Sequence, residues 1–147
     1  MGALYLGVDV GTSSVKLTCI DEGGKVVATA SEAYECSEPH PGWREINPET
    51  WWIAICSACS LLGEKVDLSL IKGVGATGQM HTTVLIDADG VPTCPAIMWN
   101  DQRTIDAVFT EKQWALSAGH PRVASFLSTG VPAINLAWIA KNNPEGL

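Results

Sequence analysis

The sequence predicts an α/β domain whose mixed sheet begins as a three-strand antiparallel meander and is flanked by helices. Three observations carry this expectation. Residues 3–34 hold three β-prone runs separated by short polar turns. A helix with clear start signals follows at Asn47. Strand-like segments then give way to helical ones, a mixed order rather than a strict alternation.

Residues 3–10 (ALYLGVDV), 14–21 (SVKLTCID) and 25–34 (KVVATASEAY) are the three strands. Glu22-Gly23-Gly24 supplies the positive φ that a tight hairpin needs. Lys16, Thr18 and Ile20 alternate with Val15, Leu17 and Cys19, the period of a strand with two unlike faces. Residues 36–46 carry Pro39, Pro41 and Gly42 and read as a loop. The helix has Asn47 as N-cap, Pro48 at its first position and Glu49 in its first turn, and runs to about Gly63. Trp51, Ile55, Ala58 and Leu62 form one stripe, widened by Trp52, Cys56 and Cys59, so most of this helix is expected to be covered by protein. Asp67-Leu68-Ser69 reads as a capped turn, residues 71–77 and 82–86 as strands joined at 78–81, and Asp89-Gly90 as a hairpin turn. Residues 101–118 and 132–142 are the remaining helices, Trp138 lying on the apolar side of the second.

A chain of 147 residues that is 46% hydrophobic and 17% charged can enclose a core and is not disordered. Nine Lys and Arg against sixteen Asp and Glu give a net charge of −7, and the basic residues are scattered, which argues against a nucleic-acid face. No apolar run approaches the roughly 18 residues of a membrane span, and the first basic residue is Lys16, so neither a membrane helix nor a secretory n-region is expected. A cytoplasmic protein is the default. Five cysteines at unrelated spacings suggest reduced thiols. Cys56-x-x-Cys59 falls inside the helix, away from the N-terminus that would activate a redox pair, and reads as small core residues.

Gly7-Val8-Asp9-Val10-Gly11-Thr12-Ser13-Ser14 places a carboxylate at a strand end, followed by a glycine and three hydroxyl residues in the turn. Such a turn aims backbone N–H groups and hydroxyls at phosphate oxygens, and Asp9 there is able to hold Mg²⁺ directly or through water. The same segment also reads as an ordinary polar hairpin turn. Gly73, Gly75 and Gly78 match the dinucleotide fingerprint, but the β-branched run after them is a poor helix start, so the Rossmann reading, a nicotinamide-dependent dehydrogenase, falls far behind. These glycines are expected instead to let the strand lie close to another backbone. Gln79, Met80 and His81, with Trp99, Asn100, Asp101 and Arg103, offer polar groups and apolar faces suited to a polyol. Met80 and His81 are expected at a strand's C-terminal end, opening to the same cavity as Trp99 and Asp101.

Four stretches in order carry a resemblance: MGALYLGVDVGTSSVKL; Pro39-His40-Pro41-Gly42-Trp43-x-Glu45-x-x-Pro48-x-x-Trp51-Trp52; Thr77-Gly78-Gln79-Met80-His81; and Ala96-Ile97-Met98-Trp99-Asn100-Asp101-x-Arg103. Together they resemble the N-terminal part of the FGGY family of carbohydrate kinases, its ketopentose kinases above all. The resemblance implies an actin-like, ribonuclease-H-like fold in two domains, with ATP and sugar meeting in the cleft. It implies phosphorylation of D-xylulose to D-xylulose 5-phosphate. Gly11, Thr12, Ser13, Ser14 and Lys16 would serve the nucleotide phosphates, and Asp9 would serve Mg²⁺ and catalysis. Gln79, Met80, His81, Trp99, Asn100, Asp101 and Arg103 would form the sugar side.

The family's general base is an Asp beyond Leu147. Residues 1–147 are therefore read as the N-terminal portion of the first, sugar-binding domain, with the rest of that domain and the second domain absent, and as silent alone. Partners would be a small sugar and ATP, with no nucleic acid or membrane, and a homodimer is admitted for the full-length enzyme. The alternatives are a kinase of ribulose, gluconate or glycerol, or a non-enzymatic actin-like nucleotide-binding module. Thr82 stands where the family often has Gly, and Pro132, Ile134 and Asn135 depart from its usual run before Leu136-x-Trp138, which bears on sugar preference.

Overall fold

The computed structural model describes residues 2–146. They form two compact units, residues 2–35 with 49–79, and residues 36–48 with 80–146.

The first unit is built on strands β1 (Leu4–Val10), β2 (Ser14–Asp21), β3 (Val26–Ala33) and β5 (Ile71–Gly78), in the order β3-β2-β1-β5. The meander is antiparallel as expected, and β5 adds to β1 in parallel. Alternation along the strands sorts the faces. Leu4, Leu6, Val8, Val15, Leu17 and Cys19 are buried, while Tyr5, Gly7, Asp9 and Lys16 are exposed. Gly24 takes φ 79° in the β2–β3 turn, where Asp21 Oδ1 accepts from the N–H groups of Gly23 and Lys25.

Helix α1 (Pro48–Gly63) starts directly after Asn47, with Glu49 in its first turn. Its buried residues are Ala54, Ala58 and Leu62, spaced by one helical turn each. Leu62 and Leu17 are fully buried, and truncating either to Ala would cost about 2–5 kcal/mol. Within these residues α1 is covered only along that Ala54, Ala58 and Leu62 stripe. Trp52 and Ile53 are 60% and 61% exposed, and Cys56 is exposed, so the buried stripe is narrower than the apolar composition of the helix. Cys19 lies in the core; Cys59 is half-buried, and burial together with the Cys56 thiol pushes its pKa up. Asp67 caps a short 3-10 turn, Leu68–Leu70, by accepting from Ser69 N–H.

The three glycines of the apparent fingerprint all lie within strand β5. Close backbone approach does not explain them: a Cβ on Gly73 would touch the Tyr5 ring at 3.3 Å, one on Gly75 would meet nothing within 4 Å, and one on Gly78 would reach only ordinary contact.

The second unit holds β4 (Glu45–Ile46), antiparallel to β6 (Ala96–Ile97), with Thr83 bridged to Ile97 on the other side. Helices α2 (Ile105–Ser117), α3 (Pro121–Phe126) and α4 (Pro132–Asn142) complete it. Two expectations change. The 36–46 loop ends in a strand, and 82–86 is no strand, only isolated bridges at Thr83 and Ile86. Asp87 and Gly90 form the expected turn after it.

Gly130, at φ 77°, is pressed against the chain at Trp99: a Cβ there would lie 2.0 Å from the Trp99 carbonyl oxygen. Gly130→Ala should therefore destabilise the protein by about 3 kcal/mol or more, read as the urea unfolding midpoint. An unchanged midpoint would show that the turn has room this geometry denies it.

Candidate functional site

The β1–β2 turn in the first unit is tightly held. Gly11 N–H donates to the Ser14 carbonyl (2.9 Å), and Tyr34 N–H to that of Ser13 (3.0 Å). The Gly11 carbonyl accepts from the Tyr34 hydroxyl and from Gln79 Nε2 (2.6 Å). Two side chains, from the strand end after β3 and from the end of β5, thus fix one carbonyl, which sets the direction of the peptide groups that follow. Thr12 and Ser13 are exposed, and Gly11 and Ser14 half-buried.

Asp9 is exposed on the polar face of the sheet, cross-strand from Lys16 on one side and Thr77 on the other. Gly7, Asp9, Lys16, Thr18, Gly75 and Thr77 border a shallow hollow of about 310 Å³. Gly7 and Gly75 are opposed across β1 and β5, so the floor beside Asp9 is bare backbone. One carboxylate beside the Thr77 hydroxyl, with Lys16 across the strand, suits a Mg²⁺ that keeps most of its waters. Among the described residues no cluster of three or more His, Cys, Asp or Glu forms a fuller metal site.

In the second unit, Met80 is 78% exposed and Trp99 48% exposed, and His81 is exposed with φ 66°, a left-handed backbone rare for a residue with a Cβ. Trp99 and Asn100 occupy the centre of a turn closed by Asp101 N–H donating to the Met98 carbonyl (3.1 Å). This explains why Trp99 stands out from fully buried Met98 beside it. The Asn100 Oδ1 atom is buried and finds no partner among the described residues.

Asp101 and Arg103 behave differently from the expectation. Asp101 is fully buried, so it does not open to a cavity shared with Met80 and His81. Its Oδ2 accepts from Arg44 N–H (2.6 Å) and Arg103 Nη2 (2.8 Å), and its Oδ1 from Arg103 N–H (2.8 Å) and Nε (2.9 Å). Arg103, its side chain only 3% exposed, spends its remaining Nη1 on Glu45 (2.8 Å) and lies 3.9 Å from the Trp43 ring centroid and 5.1 Å from that of Trp138. The fork is a bidentate pair under two indoles. Both residues are occupied by their own chain and act by placing the Trp99–Asn100 turn.

Gln79 likewise turns its amide to the Gly11 carbonyl. Residues that the sequence left without a role are Tyr34, Trp43, Arg44, Glu45 and Thr83; Asn135 stood out only as a departure bearing on sugar preference. The Trp43-x-Glu45 spacing, which puts both side chains on one side of an extended chain, was the available signal for two of them. At the surface, Arg44 holds the Glu38 carboxyl below its usual range, helped by the Gly42 N–H.

A mixed sheet with three antiparallel strands and a parallel fourth is the sheet of the actin-like, ribonuclease-H-like fold. Residues 4–147 match the N-terminal domain of the FGGY family of carbohydrate kinases, and the chain belongs to that family. It is 37% identical over 146 residues to xylulose kinase of Escherichia coli strain K12, covering 97% of this chain and 29% of that protein. The crystal structure of a xylulose kinase from Brucella ovis superposes with a TM-score of 0.83 at 34% identity, over 97% of this chain and 30% of that one. The xylulose kinase from Rhodospirillum rubrum gives 0.84 at 28% identity, over the same shares. The chain thus spans under a third of the length of these relatives.

Removing one partner of the buried fork isolates the other. Asp101→Ala should cost about 3–5 kcal/mol in urea unfolding, because Arg103 keeps its charge without its main acceptor. A cost below about 1 kcal/mol would mean that the fork is solvated and that the burial argued here is wrong.

Proposed function

We propose that the whole protein carrying this chain is an ATP-dependent kinase of a ketopentose, with D-xylulose as the first substrate to test. The observation that supports this most is the Asp9–Ser14 turn, an exposed carboxylate followed by a turn whose carbonyl is fixed from two sides. In this reading Gly11, Thr12, Ser13 and Ser14 face the phosphates and Lys16 adds positive charge to the same end. Asp9 is the residue of this chain that fits Mg²⁺, and that ion would neutralise charge on the transferring phosphoryl group. Positioning and electrostatics carry phosphoryl transfer, which matches a turn held rigid before any ligand arrives.

Met80, His81 and Trp99 would contact the sugar, an indole and a thioether covering its carbon face and an imidazole meeting its hydroxyls. Asn100, half-buried beside Trp99 in the same turn, is placed with them by that position. The acceptor of the sugar's proton is an aspartate outside these 147 residues, so the isolated chain is silent as a kinase. Residues 1–147 are then part of the first of two domains. Among the described residues, no helix is long and apolar enough to cross a membrane.

Calorimetric titration of the whole protein with MgATP, D-xylulose and NAD separates the classes. Binding of the first two and none of NAD is expected; NAD binding without D-xylulose binding would overturn the reading. Asp9→Ala should lower sugar-dependent turnover by roughly 100-fold or more at unchanged folding. A near-normal rate would remove Asp9 from the reaction.

A further inference from the structure

We propose that Asn135 is a positioning residue for sugar recognition, holding the left-handed His81 loop through Thr83 and the Trp99 turn through Gly130. This rests on the sugar-contact reading of His81 and Trp99 given above.

Asn135 sits in the first turn of α4 and is fully buried. Its Nδ2 donates to Thr83 Oγ1 (2.9 Å) and, at greater length, to the Gly130 carbonyl (3.4 Å). The carbonyl fixes which way the amide points, because turning it over would set Oδ1 against another oxygen. Thr83 Oγ1 therefore accepts from Asn135, and its own proton is left to donate to the His81 carbonyl, at a long 3.5 Å. Thr83 is also locked to Ile97 by backbone bonds in both directions (2.9 and 3.0 Å). On the other branch, Gly130 is the residue whose missing Cβ lets it lie against the Trp99 carbonyl.

One amide thus reaches toward both exposed candidate sugar contacts, His81 through a hydroxyl and Trp99 through a carbonyl turn. His81 at φ 66° needs such restraint, since a non-glycine residue keeps that conformation only where its surroundings over-determine it. Stability does not explain the choice of residue. Asn135 Oδ1 is buried without a partner among the described residues, a cost that an apolar side chain of similar size would not carry. What an amide adds over Leu is direction, toward two acceptors at once.

The whole protein tests this with two readouts. Asn135→Leu should fold with unfolding midpoint unchanged or raised, raise KM for D-xylulose about tenfold, and leave KM for ATP within about twofold. Thr83→Val should reproduce the KM change, and Thr83→Ser, which keeps the hydroxyl, should restore it. Selective ¹³C labelling of histidine reads the backbone directly: the His81 Cα and Cβ shifts should leave the left-handed range in Asn135→Leu and Thr83→Val. An unmoved His81 shift, or a moved shift with unchanged KM for D-xylulose, overturns the proposal. If the unsubstituted protein does not use D-xylulose, the sugar reading has failed, and the shift alone decides whether Asn135 holds His81. Should Asn135→Leu not fold, the Thr83 pair carries both readouts.

Discussion

The second unit depends on one buried cation. Arg103 has its guanidinium out of water, where an uncompensated charge costs several kcal/mol, so each of its faces and edges must be met by this chain. Asp101 takes the fork, Glu45 takes the third nitrogen, and Trp43 and Trp138 supply the ring faces. Those partners come from β4 and the segment before it, from the turn after β6, and from α4. Satisfying the guanidinium therefore fixes the β4–β6 pair and the turn that exposes Trp99. Lysine would not do the same, having neither the planar fork nor the stacking surface.

Within the first unit the governing constraint is the two-residue period of the strands. Leu4, Leu6 and Val8 point to the core, so Tyr5, Gly7 and Asp9 must point away, and the pairing register aligns Asp9 with Lys16 and Thr77. A slip of one residue would bury the carboxylate and expose the core. The turn that follows is then anchored by Tyr34 and Gln79 on a single carbonyl. The exposed carboxylate and the core side chains share the same strand, on opposite faces.

Local signals with strong physical content were readable before any coordinates. The alternation of β2, the Glu22–Gly24 turn, the Asn47-Pro48-Glu49 helix start and the Asp67 cap each act over a few residues, and each is found. The β-branched run after Gly78 rightly ruled out a helix there, but that run is not a strand, because only Thr83 and Ile86 find bridging partners. Strand identity depends on a neighbour distant in sequence, and that neighbour is two residues long at β6. The same reason hid β4. Helix α2 begins at Ile105 rather than 101 because the Asp101 carboxylate is committed to Arg44 and Arg103, holding residues 101–103 in a turn. Asp101 and Arg103 looked like surface ligands because charged residues seldom lie fully buried; only the arrival of Trp43, Glu45 and Trp138 from elsewhere makes them core.

In the proposed function these residues supply a working phosphate turn and sugar face to a kinase. A chimera tests it most directly, with residues 4–147 replacing the matching segment of the Escherichia coli xylulose kinase, assayed for ADP release. The prediction is D-xylulose-dependent turnover in the ordinary kinase range, roughly 1–100 per second. A folded chimera that binds MgATP but releases ADP no faster with D-xylulose than without it would contradict the account.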